Sequence, residues 1–344
     1  SERSAPRRSP DIGVVDRAVW RSDDRARRFV MDASTSLEDP MRRVKERWRA
    51  ARDELRAGLI TRDDVDFAVD DASDPTQIPN PNPNPNPNPK RPLRLVAGVD
   101  VSYRREFIYD STHRSETAVA CLAVLRFPEL TPEWVDFEEF VVDAPYVPGF
   151  LAFRECPAMT TLLRRCPPGA RPDVVLVDGN GALHPEGFGL ACHVGVECGV
   201  PTVGVAKDLH AFDGLDAKSA RAACDEAVEE AARGGGAGGA GVSKGVSKAN
   251  QPGFGGGYPA LWPDAVALVG ASGTTRGAAL FGHEHSGDGA GCPLYVSGGH
   301  RVSLALALAV ARACRAPGRK TPEPIRVADA RSRARVRLLE GKAP

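Results

Sequence analysis

From Leu93 onward the chain breaks into short apolar runs separated by polar and glycine-rich punctuation. The runs cover Leu95–Tyr103, Thr117–Phe127, Trp134–Val142, Val174–Val177, Thr202–Val205, Ala265–Val269, Gly277–Leu280 and Leu294–Val296. Their length and turn-rich ends fit β-strands. Helical spacing of apolar positions predicts helices over Gly149–Arg165, Gly187–Cys198 and Arg301–Arg315. Three strands come first, and strands then alternate with helices. That order predicts an α/β fold: a mixed central sheet flanked by helices, with antiparallel hairpins early and parallel strand–helix–strand units later.

Upstream the pattern changes. Residues 1–35 lack periodicity and are expected to be a disordered tail; the chain opens on Ser1 and reads as trimmed. In the segment 36–70, Met41, Val44, Trp48, Ala51 and Leu55 recur at steps of three and four, which predicts a surface helix packing on the main domain. Residues 71–92 hold "PNPNPNPNPNPK". Alternating proline removes every second amide donor and disfavours helix at each preceding residue, so this is an extended linker. The folded domain is expected at 93–333, with a glycine-rich insertion at 233–257 and a C-terminal tail at 334–344.

Composition narrows the function classes. Lys plus Arg and Asp plus Glu each number 45, so there is no global basic signal for nucleic acid, and any basic surface is local. The 8 cysteines form no CxxC pair; zinc is not indicated, and buried thiols in a reducing compartment are expected. No apolar run approaches about 18 residues, so no membrane span is expected. An intracellular location, in cytoplasm, nucleus or an organelle, follows.

Four acids stand out. Asp178 ends the apolar run of "DVVLVDGNG", and Asp100 lies inside the first strand. Asp is poorly suited to a buried strand unless paired or bound to a cation. Glu155 falls near the middle of the first main-domain helix, and Asp329 sits among arginines near the C-terminus. Alone, Asp329 reads as an exposed carboxylate or salt-bridge partner, and Arg154 is a ready partner for Glu155, whereas that reading is weaker for Asp100 and Asp178, flanked by apolar residues. Together, such acids form an oxygen-only donor set suited to Mg²⁺, with Mn²⁺ able to substitute. Lys207 closes the run "GVPTVGVAK" and alone reads as a solvated lysine. His283 and His285, in "GHEHSGDGAG", lack a third ligand and read as loop residues.

The pieces "VAGVDVSY", "PYVPGFLAFRE", "VLVDGNGALHPEGFG", "GVPTVGVAK", "PLYVSGGHRVSLALAL" and "PEPIRVADA" resemble endonuclease V, in that family's order. The family has a ribonuclease H-like fold, and the match runs from residue 93 to about 333. The resemblance implies that Asp100, Glu155 and Asp178 are catalytic, metal-binding acids. It places Asp329 at a further metal-site position and Lys207 beside the scissile phosphate. It implies a wedge formed by Pro145, Tyr146, Val147 and Pro148. It implies a hypoxanthine pocket lined by Gly179, Gly181, Gly204, Leu151 and Leu190, with His184 nearby. His193 also matches a family position, but on a helix's apolar face it reads equally as a core histidine.

The activity so implied is Mg²⁺-dependent hydrolysis of the second phosphodiester bond 3′ to inosine in single-stranded RNA or DNA, by a monomer. "DGNGALHPEGFGLACH" resembles eukaryotic members, which favours RNA. Two departures stand out: Asp208 where the family is usually basic, and Gly298 where another residue is often found. They leave two rivals open: a non-catalytic inosine-RNA binding protein and an unselective ribonuclease H-like nuclease.

Overall fold

The computed structural model describes residues 40–69, 90–104, 108–109, 114–234, 260–262, 264–281 and 292–342. The expected tail at 1–35, most of the Asn-Pro linker, most of the glycine-rich insertion, and His283 and His285 lie outside them. The chain divides into two compact units, residues 1–45 and 46–344. The described part of the first is the opening of a helix; the second holds the sheet.

In chain order the elements are α1 (Pro40–Arg56), β1 (Phe67–Ala68), β2 (Arg91–Pro92), β3 (Leu95–Tyr103), β4 (Ile108–Tyr109), β5 (Arg114–Arg126) and β6 (Thr131–Val142). Then follow α2 (Ala152–Arg165), a 3-10 turn at Pro168–Ala170, β7 (Val174–Asp178), α3 (Leu190–Cys198), β8 (Thr202–Ala206) and α4 (Ala217–Gly234). The remainder is β9 (Ala260–Trp262), β10 (Ala265–Val269), β11 (Thr275–Leu280), β12 (Leu294–Gly298), α5 (Leu304–Ala313) and α6 (Glu323–Leu339).

Among the described residues one sheet holds ten strands in the order β4-β5-β3-β7-β8-β12-β11-β10-β9, with β6 also on β5. It is mixed, as expected, but its parallel part is only β3–β7–β8. The strands beyond β8 run antiparallel. The short turn from Val269 to Thr275 cannot make the crossover that parallel pairing needs. β1 and β2 form a separate two-stranded parallel sheet.

Each face of the main sheet is covered. Leu95, Ala97 and Val99 of β3 join Met159 and Leu162 of α2 and Ala191 and Val194 of α3. Val96 of β3 faces the other way, with Leu308 of α5 and Ile325 and Ala328 of α6. Period-two alternation along β3 therefore turns Gly98 and Asp100 toward α6. There the two backbones nearly touch: a Cβ on Gly98 would lie 2.1 Å from the Pro324 carbonyl atoms.

Two helices were not anticipated. α4 begins at an aspartate cap, where Asp216 accepts from the amides of Lys218 and Ser219, both at 2.9 Å. α6 continues to Leu339, so the boundary expected at residue 333 falls within a helix. Among the described residues no helix is long and apolar enough to cross a membrane.

Candidate active site

Two adjoining parallel strands create the centre. Val99 pairs with Val177, so the next residues along, Asp100 and Asp178, stand side by side at the carboxyl end of β7. Lys207 immediately follows β8, and its Nζ donates to Asp178 Oδ2 at 2.6 Å. Glu155 lies in the first turn of α2 rather than near the helix middle, because the helix starts at Ala152. Its carboxylate sits at the positive end of the helix.

Hydroxyls hold these acids. Tyr103 donates to Glu155 Oε1 at 2.7 Å. Ser332 of α6 donates to Asp100 Oδ2 at 3.0 Å and lies 2.7 Å from the hydroxyl of Ser102. Asp100 and Glu155 are only 7% and 6% exposed. Burial pushes Asp100 up to about 7, and the neighbouring Asp178 charge adds to the shift while the Ser332 hydroxyl opposes it. Burial likewise carries Glu155 to about 7, against the Tyr103 hydrogen bond and with the charges of Asp100 and Asp178. Burial works against the Lys207 charge, but its hydrogen bond and attraction to Asp178 raise its pKa overall.

Asp329 is on α6 and pairs with Arg333 at 2.8 Å. It is close enough for its charge to act on both Asp100 and Lys207. Among the described residues, no three of these carboxylates bring ligand oxygens within 4.8 Å of one another. The donor set still suits a hard cation. Two buried carboxyls have hydroxyl partners and each other's repulsion, and oxygen is the only donor type present.

The segment before α2 lies alongside. Tyr146 is 66% exposed, while Val147 is buried. The Arg154 guanidinium lies 5.6 Å from the Tyr146 ring centre and 5.5 Å from that of Tyr103. Arg154 thus lies near both the exposed ring and the tyrosine that binds Glu155, and its charge also acts on Glu155. His184 is buried, and burial followed by the Arg52 charge lowers its pKa to about 4. The neutral ring accepts from the Glu186 amide through Nδ1 at 3.2 Å.

Two of the glycines lie where backbone segments approach closely. A Cβ on Gly181 would meet the Gly298 carbonyl oxygen at 2.3 Å, and one on Gly204 would meet the Gly181 nitrogen at 2.3 Å. The close approach they permit is to the protein's own backbone, with the Gly181 amide donating to Ser297 Oγ at 3.0 Å. Gly179, at φ 154°, faces Leu190, whose Cδ2 lies 3.2 Å from a built Cβ. Gly298 now has a local cause: a side chain there would strike the Val302 carbonyl oxygen at 2.5 Å. Leu151, at the start of α2, is partly exposed. Between Gly179 and Gly181, the buried Asn180 Oδ1 has no hydrogen-bond partner among the described residues.

α1 braces this loop from outside. Trp48 stacks on Phe153 with ring centres 5.1 Å apart, and Arg56 donates to the Glu186 carbonyl at 2.6 Å. Tyr103, Ser332, Asn180 and Arg52 are the neighbours that sequence reasoning did not single out. Ser332 and Arg52 form no motif with the acid or loop they support, and Tyr103 forms none with Glu155.

A family model described as endonuclease V matches residues 82–239 and 242–330. The chain belongs to the endonuclease V family. It is 35% identical to mouse endonuclease V over 313 residues, covering 90% of this chain and 75% of the mouse protein. With human endonuclease V it shares 38% over 252 residues, covering 72% and 74%. The crystal structure of the human protein superposes with a TM-score of 0.60 at 32% identity, covering 86% of this chain and 99% of the human one. A Ciona intestinalis endonuclease V, solved with a 24mer DNA containing an inosine followed by a ribo-adenosine, matches with a TM-score of 0.58 and 26% identity over 87% of this chain and 99% of that one. As a member of this endonuclease V family, the chain is a nuclease with the ribonuclease H-like fold that the resemblance implied.

Proposed function

We propose that this chain is a Mg²⁺-dependent endonuclease that cuts inosine-containing strands at the second phosphodiester bond 3′ to inosine, leaving 3′-hydroxyl and 5′-phosphate ends. The observation that carries this reading is the acid set itself: Asp100 and Asp178 side by side, Glu155 facing them, and Lys207 bonded to Asp178. The Ciona relative's inosine-containing DNA supplies the substrate class.

Asp100, Glu155 and Asp178 would hold the ion, with Asp329 at the margin. Bound there, Mg²⁺ supplies a Lewis acid for the phosphoryl oxygens and a more acidic water. Mn²⁺ satisfies the same oxygen donors. Ser332 and Tyr103 fix the orientation of two carboxylates that would otherwise repel Asp178. Lys207 balances charge at the scissile phosphate. Tyr146, backed by Arg154, fills the gap that an everted base leaves in the stack. Leu151, Leu190 and the chain around Gly179, Gly181, His184 and Gly204 wall the base, and Asn180 Oδ1 offers an acceptor suited to the N1–H of hypoxanthine. Adenine lacks that proton, which leaves the acceptor unpaired.

The test is cleavage of end-labelled single-stranded RNA and DNA, each with one inosine, in Mg²⁺ or EDTA. Mg²⁺-dependent cuts at the stated bond support the reading, and the faster strand names the main substrate. The ribo-adenosine in the Ciona complex and the eukaryote-like motif lead us to expect RNA, or a ribose beside the cut. Tight binding without cutting would make the protein an inosine-RNA reader. Equal cutting of inosine-free strands would make it an unselective nuclease.

The pKa shifts predict a pH effect on stability. Asp100 and Glu155 rise to about 7 from ordinary values of 3.8 and 4.5. Between those limits the folded state holds protons that the unfolded chain releases. Without metal, the stabilisation present at acid pH is therefore lost as pH rises through about 7. Thermal melts in EDTA should show Tm falling over that range. Mg²⁺ should restore Tm most strongly at the alkaline end, where both carboxylates are ionised. A Mg²⁺ increment independent of pH would rule out these two acids as ligands.

A further inference from the structure

We propose that Cys156, His193 and Glu197 form a second metal site, for a borderline divalent cation such as Zn²⁺ rather than Mg²⁺. A ligand atom from each lies within 4.8 Å of those of the other two. Cys156 comes from α2. His193 and Glu197 come from α3, four residues apart and so on one helix face. None of the three takes part in the carboxylate centre.

The donor set decides the class of ion. Thiolate, imidazole and carboxylate together suit Zn²⁺ or Co²⁺, whereas an oxygen-only set suits Mg²⁺. The absence of a CxxC spacing does not count against it, because the ligands converge from two helices. The site is also partly prepared. Phe153 packs edge-on against the His193 ring with centres 5.1 Å apart, and Phe188 flanks it at 6.0 Å. That ring already places Nε2 at 3.2 Å from Glu197 Oε1.

Cys156 and His193 are buried, and Glu197 reaches the surface, so an ion has a way in. Ligands of a tetrahedral zinc ion stand about 3.5 Å apart, from bonds of roughly 2.0–2.3 Å. The His193–Glu197 pair already stands near that spacing, at 3.2 Å, and the other gaps, all within 4.8 Å, are in reach of side-chain rotation. Glu197 also pairs with exposed Arg164 at a long 3.8 Å, and the ion would replace the proton that His193 and Glu197 share. Three protein ligands leave a fourth position for water. On binding, the Cys156 thiol proton passes to solvent and the sulfur–metal bond forms. The ion then links α2, which carries Glu155, to α3, which carries Leu190.

The test is a titration of the full chain, reduced and stripped of metal, with Co²⁺ in excess Mg²⁺. Mg²⁺ occupies the oxygen site, and only a sulfur ligand gives the near-ultraviolet thiolate-to-cobalt charge-transfer band. One equivalent should produce that band. Cys156→Val should abolish it, while Cys292→Ser, at an exposed cysteine, should leave it intact. Glu197→Gln, near the surface, guards against misfolding of the buried variant and should weaken Co²⁺ at least about tenfold. Zn²⁺ should raise the Tm of the natural chain and not that of Cys156→Val. No band, or a band that survives Cys156→Val, would overturn the site and leave a helical His–Glu pair beside a buried thiol.

Discussion

Asp178→Ala is expected to slow single-turnover cleavage of an inosine strand by about 10³-fold or more, while leaving strand binding intact. Loss of a ligand to a Lewis acid worth several kcal/mol accounts for that factor. Two side effects make the prediction specific. Lys207 loses its 2.6 Å partner and becomes available to phosphate, so affinity for the strand should hold or rise. Asp100 loses the charge that helps raise it, so its pKa should fall back toward the ordinary carboxylate range. Gel-shift binding and single-turnover rates, measured side by side, check both halves. Unchanged cleavage would remove Asp178 from the chemistry.

Gly98→Ala should be the most damaging single-methyl addition outside the acids. The new Cβ would sit 2.1 Å from the Pro324 carbonyl carbon and oxygen and 2.5 Å from the Ile325 nitrogen. Those are backbone atoms, so no side chain can swing aside. The start of α6 must move by more than about 1 Å to reach ordinary contact, and overpacking of this kind costs about 3 kcal/mol. For a domain of this size that lowers Tm by roughly 10 °C. The same shift draws Ser332 away from Asp100, so activity should fall further than stability alone explains. Gly169→Ala is the matched control: nothing lies within 4 Å of its Cβ. Equal melting of the two variants would show that α6 does not need its close approach to β3.

Some of this was legible in the chain. Lone acids inside or ending apolar runs marked Asp100 and Asp178, because burial of an unpaired carboxylate is costly. The strand order gave the mixed sheet. What sequence could not show was pairing at a distance: Tyr103 lies 52 residues from Glu155, and Ser332 lies 232 from Asp100. Neither makes a motif, since a hydroxyl's partner is set by register and helix docking. The glycine run read as a base lining; that Gly181 and Gly204 also sit where backbone meets backbone could not be read from it. α4 was readable but overlooked, since Asp216 sits where an N-cap belongs, just ahead of an alanine- and glutamate-rich stretch. The Cys156 cluster has no linear spacing because two helices share it.

The docking of α6 on β3 also sets an order in time. The strand bearing Asp100 is synthesised before the helix bearing Ser332 and Asp329. A nascent chain therefore carries its first acid without the serine that orients it. A chain stopped before residue 323 lacks both the serine that holds Asp100 and the helix that covers that face of β3.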